Sequence, residues 1–155
     1  MHVPLTWRSG LANSAPNAGL HEVFARIAAL HPGRIAIRSS GTSLTYAELD
    51  ARASACADAL QRRGVEPGTV VAILLSRSID LVVSLLAVLK CGAAYSAPDP
   101  TWPSGRVAEA LATMGASHVI SSAGASPHAT LFIEDIPAAA GTGFRPVHTD
   151  GAEPA

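Results

Sequence analysis

One lone lysine, one aspartate set between prolines, two thiols and six histidines are the side chains of this sequence with the most chemical reach. Lys90 is the only lysine of 155 residues, and a single ammonium can serve an anionic site. It also stands just before the helix end expected at Cys91-Gly92, where a cation complements the helix dipole by about 0.3–1 kcal/mol. That structural role accounts for it without a ligand. Asp99, between Pro98 and Pro100, can accept backbone hydrogen bonds and fix a corner; a catalytic carboxylate would need a second group, and the sequence names none. Tyr95 and Trp102 flank the same corner, and aromatic packing explains them better than ligand stacking, with an interface as the other use of Trp102. Histidines 2, 21, 31, 118, 128 and 148 fall on expected loops and element edges with no partner carboxylate or thiol, so each reads as a surface residue. His148 and Asp150 are two apart, in a stretch with nothing to hold them in register. Cys56 and Cys91 read as buried free thiols, and no His/Cys spacing suggests a metal. The phosphate-loop, dinucleotide, zinc-protease and nucleophile-elbow patterns are all missing, so no acid, base or nucleophile pair can be named.

Composition narrows the classes further. With 48% hydrophobic and 15% charged residues the chain can bury a core, and a net charge of -1 with no basic stripe argues against nucleic acid as a partner. The longest apolar run, Leu81 to Leu89, is far short of the roughly 20 residues that span a bilayer. No basic segment leads into an apolar one at Met1–Arg8, so no export signal is visible and a cytoplasmic location is expected, with no membrane partner.

The elements that must position these residues follow from period and punctuation. Residues 1–19 lack periodicity and are expected to be a flexible leader. Leu20, Val23, Phe24, Ile27 and Leu30 recur at helical spacing until His31-Pro32-Gly33. Ile35–Arg38 and Leu44, separated by Ser39-Ser40-Gly41-Thr42, predict a hairpin. Thr45 and Glu48 have capping-box spacing, so a helix should start at Tyr46, bury Leu49, Ala53, Cys56, Ala57 and Leu60, turn Asp50, Arg52, Asp58, Gln61 and Arg62 to water, and end at Gly64. Val70–Leu75 is apolar on both faces, as a central strand covered on both sides must be. Ser78 caps a helix over Ile79–Cys91 that is apolar nearly all round except at Asp80, Ser84 and Lys90; Gly92 ends it, and Ala93–Ser96 is extended. This is a βαβ unit. Pro103 opens another helix, lined by Val107, Ala108, Leu111 and Met114, and strands are expected at Ser117–Ser121 and Thr130–Ile133. Residues 137–155 carry no period and are expected to be a mobile tail.

Two of these segments carry a resemblance. Leu44-Thr45-Tyr46-Ala47-Glu48-Leu49 resembles the first core motif of the amino-acid adenylation domains of nonribosomal peptide synthetases, and Leu89-Lys90-Cys91-Gly92-Ala93-Ala94-Tyr95 with Asp99-Pro100 resembles the second. The likeness is nearly continuous from Leu20 to about Ile136. It implies an α/β fold: a partial N-terminal subdomain of the adenylate-forming enzymes, built of βαβ units with a mostly parallel sheet and covering helices, over 20–136. The chain departs from the family's usual Tyr-Val-Pro-Leu-Asp-Pro by reading Tyr95-Ser96-Ala97-Pro98-Asp99-Pro100, and Gly105 stands where an acidic residue precedes Arg106.

The resemblance implies ATP- and magnesium-dependent activation of an amino acid and its transfer to a carrier protein. The family's Ser/Thr/Gly-rich phosphate loop and lid lysine are not in this sequence, and the loop would follow almost directly after Asp150–Ala155. The matching motif residues therefore carry structural roles, and no catalytic, cofactor-binding or metal residue is assigned. The expected function is the N-terminal part of an adenylation domain, inactive alone, with neither ATP nor magnesium bound by this chain itself. The alternative is a truncated adenylation-like domain that serves as a non-catalytic interaction or stabilising partner. In either case the partner is another protein: the remaining half of the domain, a synthetase module or a tailoring enzyme. Self-association through the uncovered face is a further expectation. A self-sufficient enzyme of another kind is the third alternative.

Overall fold

The computed structural model describes residues 19–136. The expected leader, apart from Gly19, and the expected tail over 137–155 lie outside the described residues.

Helix α1 runs over Leu20–Leu30, with the Glu22 carboxylate accepting from the Gly19 N–H at 3.2 Å. Strands β1 (Ile35–Ser39) and β2 (Thr42–Thr45) form an antiparallel hairpin. Its two turn residues, Ser40 and Gly41, both have positive φ, the turn that matches the right-handed twist of paired strands. Helix α2 (Tyr46–Arg62) starts where the capping box places it. Thr45 Oγ1 accepts from the Glu48 N–H at 3.2 Å, and Glu48 Oε2 accepts from the Thr45 N–H at 2.8 Å. The Thr45→Ala variant should therefore lose about 1 kcal/mol in thermal or urea unfolding, and Thr45→Ser should lose much less.

After α2 the chain alternates strand and helix: β3 (Val70–Leu74), α3 (Ile79–Lys90), β4 (Ala94–Ser96), α4 (Ser104–Met114), β5 (His118–Ser121) and β6 (Leu131–Phe132), closed by a 3-10 turn over Ile133–Asp135. The four strands make one parallel sheet in the order β4-β3-β5-β6. β3 lies inside it, and its alternate residues serve two cores. Val71 and Ile73 join Leu60, Val83, Val88, Ile120 and Leu131 in the larger core under α2 and α3. Ala72 and Leu74 face Val107, Leu111 and Val119 under α4. That two-sided burial is why the strand reads as an unbroken apolar run.

Helix α3 has no exposed residue, and two of its polar positions, Ser84 and Lys90, are buried while Asp80 is half-buried. Ser84 is fully buried and donates its hydroxyl to the Asp80 carbonyl at 2.8 Å. Asp58, expected to face water, is buried instead; its carboxylate is paired at 2.8 Å with Arg62, one turn on, whose side chain reaches solvent and keeps the charge compensated. Both thiols are buried and free, and Cys91 Sγ donates to the Ala57 carbonyl at 3.5 Å. Burial pushes both thiols up to about 12 from an ordinary 9.0. The folded values lie above the unfolded one, so the thiols favour folding below pH 9 and lose that contribution as pH rises from 9 to about 12. At pH 8 neither should react with an aromatic disulfide reagent until urea unfolds the chain, when both should.

Candidate functional site

The two motif segments meet across the α2–α3 contact. Leu49 is buried in the larger core, Leu44 is half-buried against it, and Tyr46 stands against Phe24 of α1 with ring centroids 5.8 Å apart. On the other side, Leu89 is half-buried and Lys90 is buried, its Nζ 2.8 Å from Asp50 Oδ1. Asp50 is the residue immediately after the first motif. Lys90 does stand in the last turn of α3, as expected for a cation that complements the helix dipole, and it also makes an internal ion pair between the two motif-bearing helices. A second pair, Arg52 Nη2 to Asp80 Oδ1 at 2.8 Å, joins the same helices. Sequence reasoning missed both partners. The signal available was a lone lysine on a helix that is apolar nearly all round, since a buried ammonium requires a counter-charge.

Gly92 leaves α3 with φ 69°, and the Gly92 and Ala93 N–H groups donate to the Leu89 and Val88 carbonyls at 3.0 and 3.2 Å. This pair of bonds satisfies carbonyls that the helix end would strand. α2 ends the same way at Gly64 and Val65, and α4 at Gly115 and Ala116.

The corner that follows is held by Asp99, whose Oδ1 accepts from the Thr101 hydroxyl at 2.6 Å and from the Thr101 N–H at 2.8 Å. Those two bonds hold the Asp99 carboxyl below its ordinary range. An NMR titration should find its midpoint low, and Thr101→Ala, which removes only the hydroxyl bond, should raise it part of the way. Because the shift is downward, whatever Asp99 contributes to folding is present above its unfolded pKa and lost as pH falls through the folded one. Pro100 is exposed beside it. Tyr95 is 48% exposed on β4, an edge strand of the sheet, rather than packed into the corner. Trp102 meets the Arg106 guanidinium, 4.2 Å from the ring centroid, rather than another aromatic ring. Among the histidines, His21 is buried, and His118 Nε2 lies 2.9 Å from the Arg63 carbonyl, so neither is a plain surface residue. His128 is half-buried, with its Nε2 buried and unpaired.

At the carboxyl ends of β3 and β5 a cavity of about 80 Å³ opens between Leu74, Trp102, Val107, Ser121, Ser126 and His128. No Asp, Glu, Lys or Arg side chain lines it. Among the described residues no three His, Cys, Asp or Glu side chains gather to hold a metal. The described residues that line this cavity do not fit ATP and magnesium, so no chemical step is derived through them.

The comparisons with known proteins agree with this scaffold. Residues 24–149 match the family model described as AMP-binding enzyme. A linear gramicidin synthase of Brevibacillus parabrevis is 47% identical over 107 residues, 66% of this chain, and a plipastatin synthase of Bacillus subtilis is 48% identical over 69% of it. The chain spans only 1% and 4% of those two relatives. Among solved structures, the nonribosomal peptide synthetase FmoA3 superposes with a TM-score of 0.78 at 29% identity, over 88% of this chain and 16% of that one. The N-terminal subdomain of NpsA from Klebsiella oxytoca gives 0.70 at 27% identity, over 86% of this chain and 36% of that one. The parallel sheet, the two motif segments joined across α2 and α3, and a match through most of its length lead to one conclusion: this chain belongs to the AMP-binding enzyme family, as an N-terminal portion of a nonribosomal peptide synthetase adenylation domain.

Proposed function

We propose that this chain is the scaffold half of an amino-acid-activating domain and is catalytically silent until the rest of that domain joins it. The observation that carries the reading is the use to which both motifs are put. Thr45 and Glu48 cap α2, Gly92 ends α3, Lys90 pairs with Asp50, and Asp99 ties the corner, so each of these motif residues is spent on structure. In the completed domain, ATP and magnesium would be held by the part that follows, and the product would be an aminoacyl adenylate passed to a carrier protein. The partner is then the remaining half of an adenylation domain within a synthetase module. A cytoplasmic setting fits this work, and no described helix is long and apolar enough to cross a membrane.

The test is amino-acid-dependent ATP–pyrophosphate exchange. The chain alone should give none, and co-expression with the complementary part of a relative such as plipastatin synthase should restore it. Reproducible exchange by the chain alone overturns the reading. A second reading, a docking or stabilising module, is favoured by the exposed Leu20, Ile27, Leu30, Ile35 and Tyr95. It predicts a stable complex with a synthetase or tailoring protein and no exchange in the reconstituted mixture.

A further inference from the structure

We propose that the cavity at the carboxyl ends of β3 and β5 is a binding site for small neutral molecules that carry a hydroxyl or a primary amide on a short carbon stem. Its place in the topology is the first reason. From β3 the chain goes through α3 to β4 on one side, whereas from β5 it goes to β6 on the other, so two neighbouring strands send their continuations apart. α3 accordingly packs in the larger core and α4 on the opposite face of the sheet. In open α/β sheets, ligands bind in the crevice that such a reversal opens beyond the carboxyl ends of the strands. Here Leu74 and Ser121, the paired last residues of β3 and β5, line the cavity.

The lining selects the ligand. Leu74 and Val107 are buried and supply apolar surface for a carbon stem. Ser121 donates its hydroxyl to the Ser122 carbonyl at 3.3 Å, so it offers a ligand an acceptor. Ser126 accepts from the His128 N–H at 3.2 Å and keeps its own proton to donate. The His128 imidazole can do either, and its Nε2 is buried and unpaired, a state that a polar group in the cavity relieves once the ring turns to meet it. A hydroxyl or a primary amide brings a donor and an acceptor together and so answers all three side chains. A carboxylate or an ammonium does not, because no Asp, Glu, Lys or Arg side chain lines the cavity to balance its charge. Size sets the stem. A cavity of ~150 Å³ holds a benzene ring, so about 80 Å³ admits about four non-hydrogen atoms, as in acetamide or 2-propanol. The inference needs only the folded chain and stands whether or not the completed domain activates an amino acid.

The test titrates the full 155-residue chain, its histidine rings and its leucine and valine methyls labelled for NMR, with acetamide, 2-propanol and acetate. Acetamide and 2-propanol should shift the Leu74 and Val107 methyl signals and the His128 ring together, along one saturating curve with a millimolar midpoint, the strength that so few atoms can supply. Acetate, the same size as acetamide, should bind at least about tenfold more weakly. Ala125→Phe, at an exposed position that lines the cavity, should abolish saturation by filling the mouth. His128→Phe, which keeps a ring and removes its nitrogens, should weaken acetamide about three- to tenfold. Wild-type signals that stay in place, or drift linearly without saturating, overturn the proposal and leave the cavity to water. Acetate bound as tightly as acetamide overturns it too, as does acetamide binding that neither variant changes. The wild-type comparisons stand even if a variant fails to fold.

Discussion

Asp50→Ala should destabilise the protein by about 3 kcal/mol, more than any other surface-reaching substitution in α2. The reason is the asymmetry of a buried ion pair. Lys90 is 5% exposed and its ammonium lies 2.8 Å from the Asp50 carboxylate, so removing the carboxylate takes the counter-charge from a cation already out of water. Breaking such a pair from one side costs about 3–5 kcal/mol, and the lower end applies here because the Asp50 side chain is 34% exposed. Lys90→Met, which keeps the apolar stem and takes away the charge, should cost only about 1 kcal/mol. The double variant should be more stable than Asp50→Ala alone. Urea unfolding of the four proteins of this cycle measures the coupling directly, and additive losses would show that the pair is energetically idle.

Ile73→Ala should cost a similar or larger amount, about 3–4 kcal/mol, for a different reason. Ile73 is fully buried on a strand flanked by β4 and β5, in the core under α2 and α3. The loss combines the transfer of the missing carbons with a cavity that neighbours on two layers cannot close. Ile73→Val, which removes one methylene, should cost about 1 kcal/mol. Val70, half-buried at the start of the same strand, should tolerate alanine with a smaller loss than Ile73 does. Thermal unfolding that ranked these three equally would show that the core does not hinge on β3.

What the sequence makes legible here is what local chemistry decides. The start of α2 follows from Thr45 and Glu48, the end of α3 from Gly92, and the two-sided burial of β3 from its unbroken apolar run, because caps, turns and period act within a few residues. Partnerships across long separations are not written that way. Asp50 and Lys90 are 40 positions apart, Arg52 and Asp80 are 28 apart, and helical periodicity assigns both α2 residues to solvent while saying nothing of the helix that arrives over them. The same limit explains Asp58 and His21, which tertiary packing buries, and Tyr95, which an edge strand leaves out. The corner around Asp99 is legible as a structural device, since its prolines and acidic residue specify a turn by themselves. The cavity beside it is not, for it is assembled from the ends of two strands, a helix start and the loop before β6, and only the fold brings His128 to it.

The sheet's outer strands bear on how this protein meets others. β4 has three residues and β6 two. A row of main-chain donors and acceptors that short offers a foreign strand one or two bonds before it runs out, too few to seed the edge-to-edge stacking that long, flat margins invite. Among the described residues, the margins of this sheet are in effect hemmed against edge-to-edge polymerising.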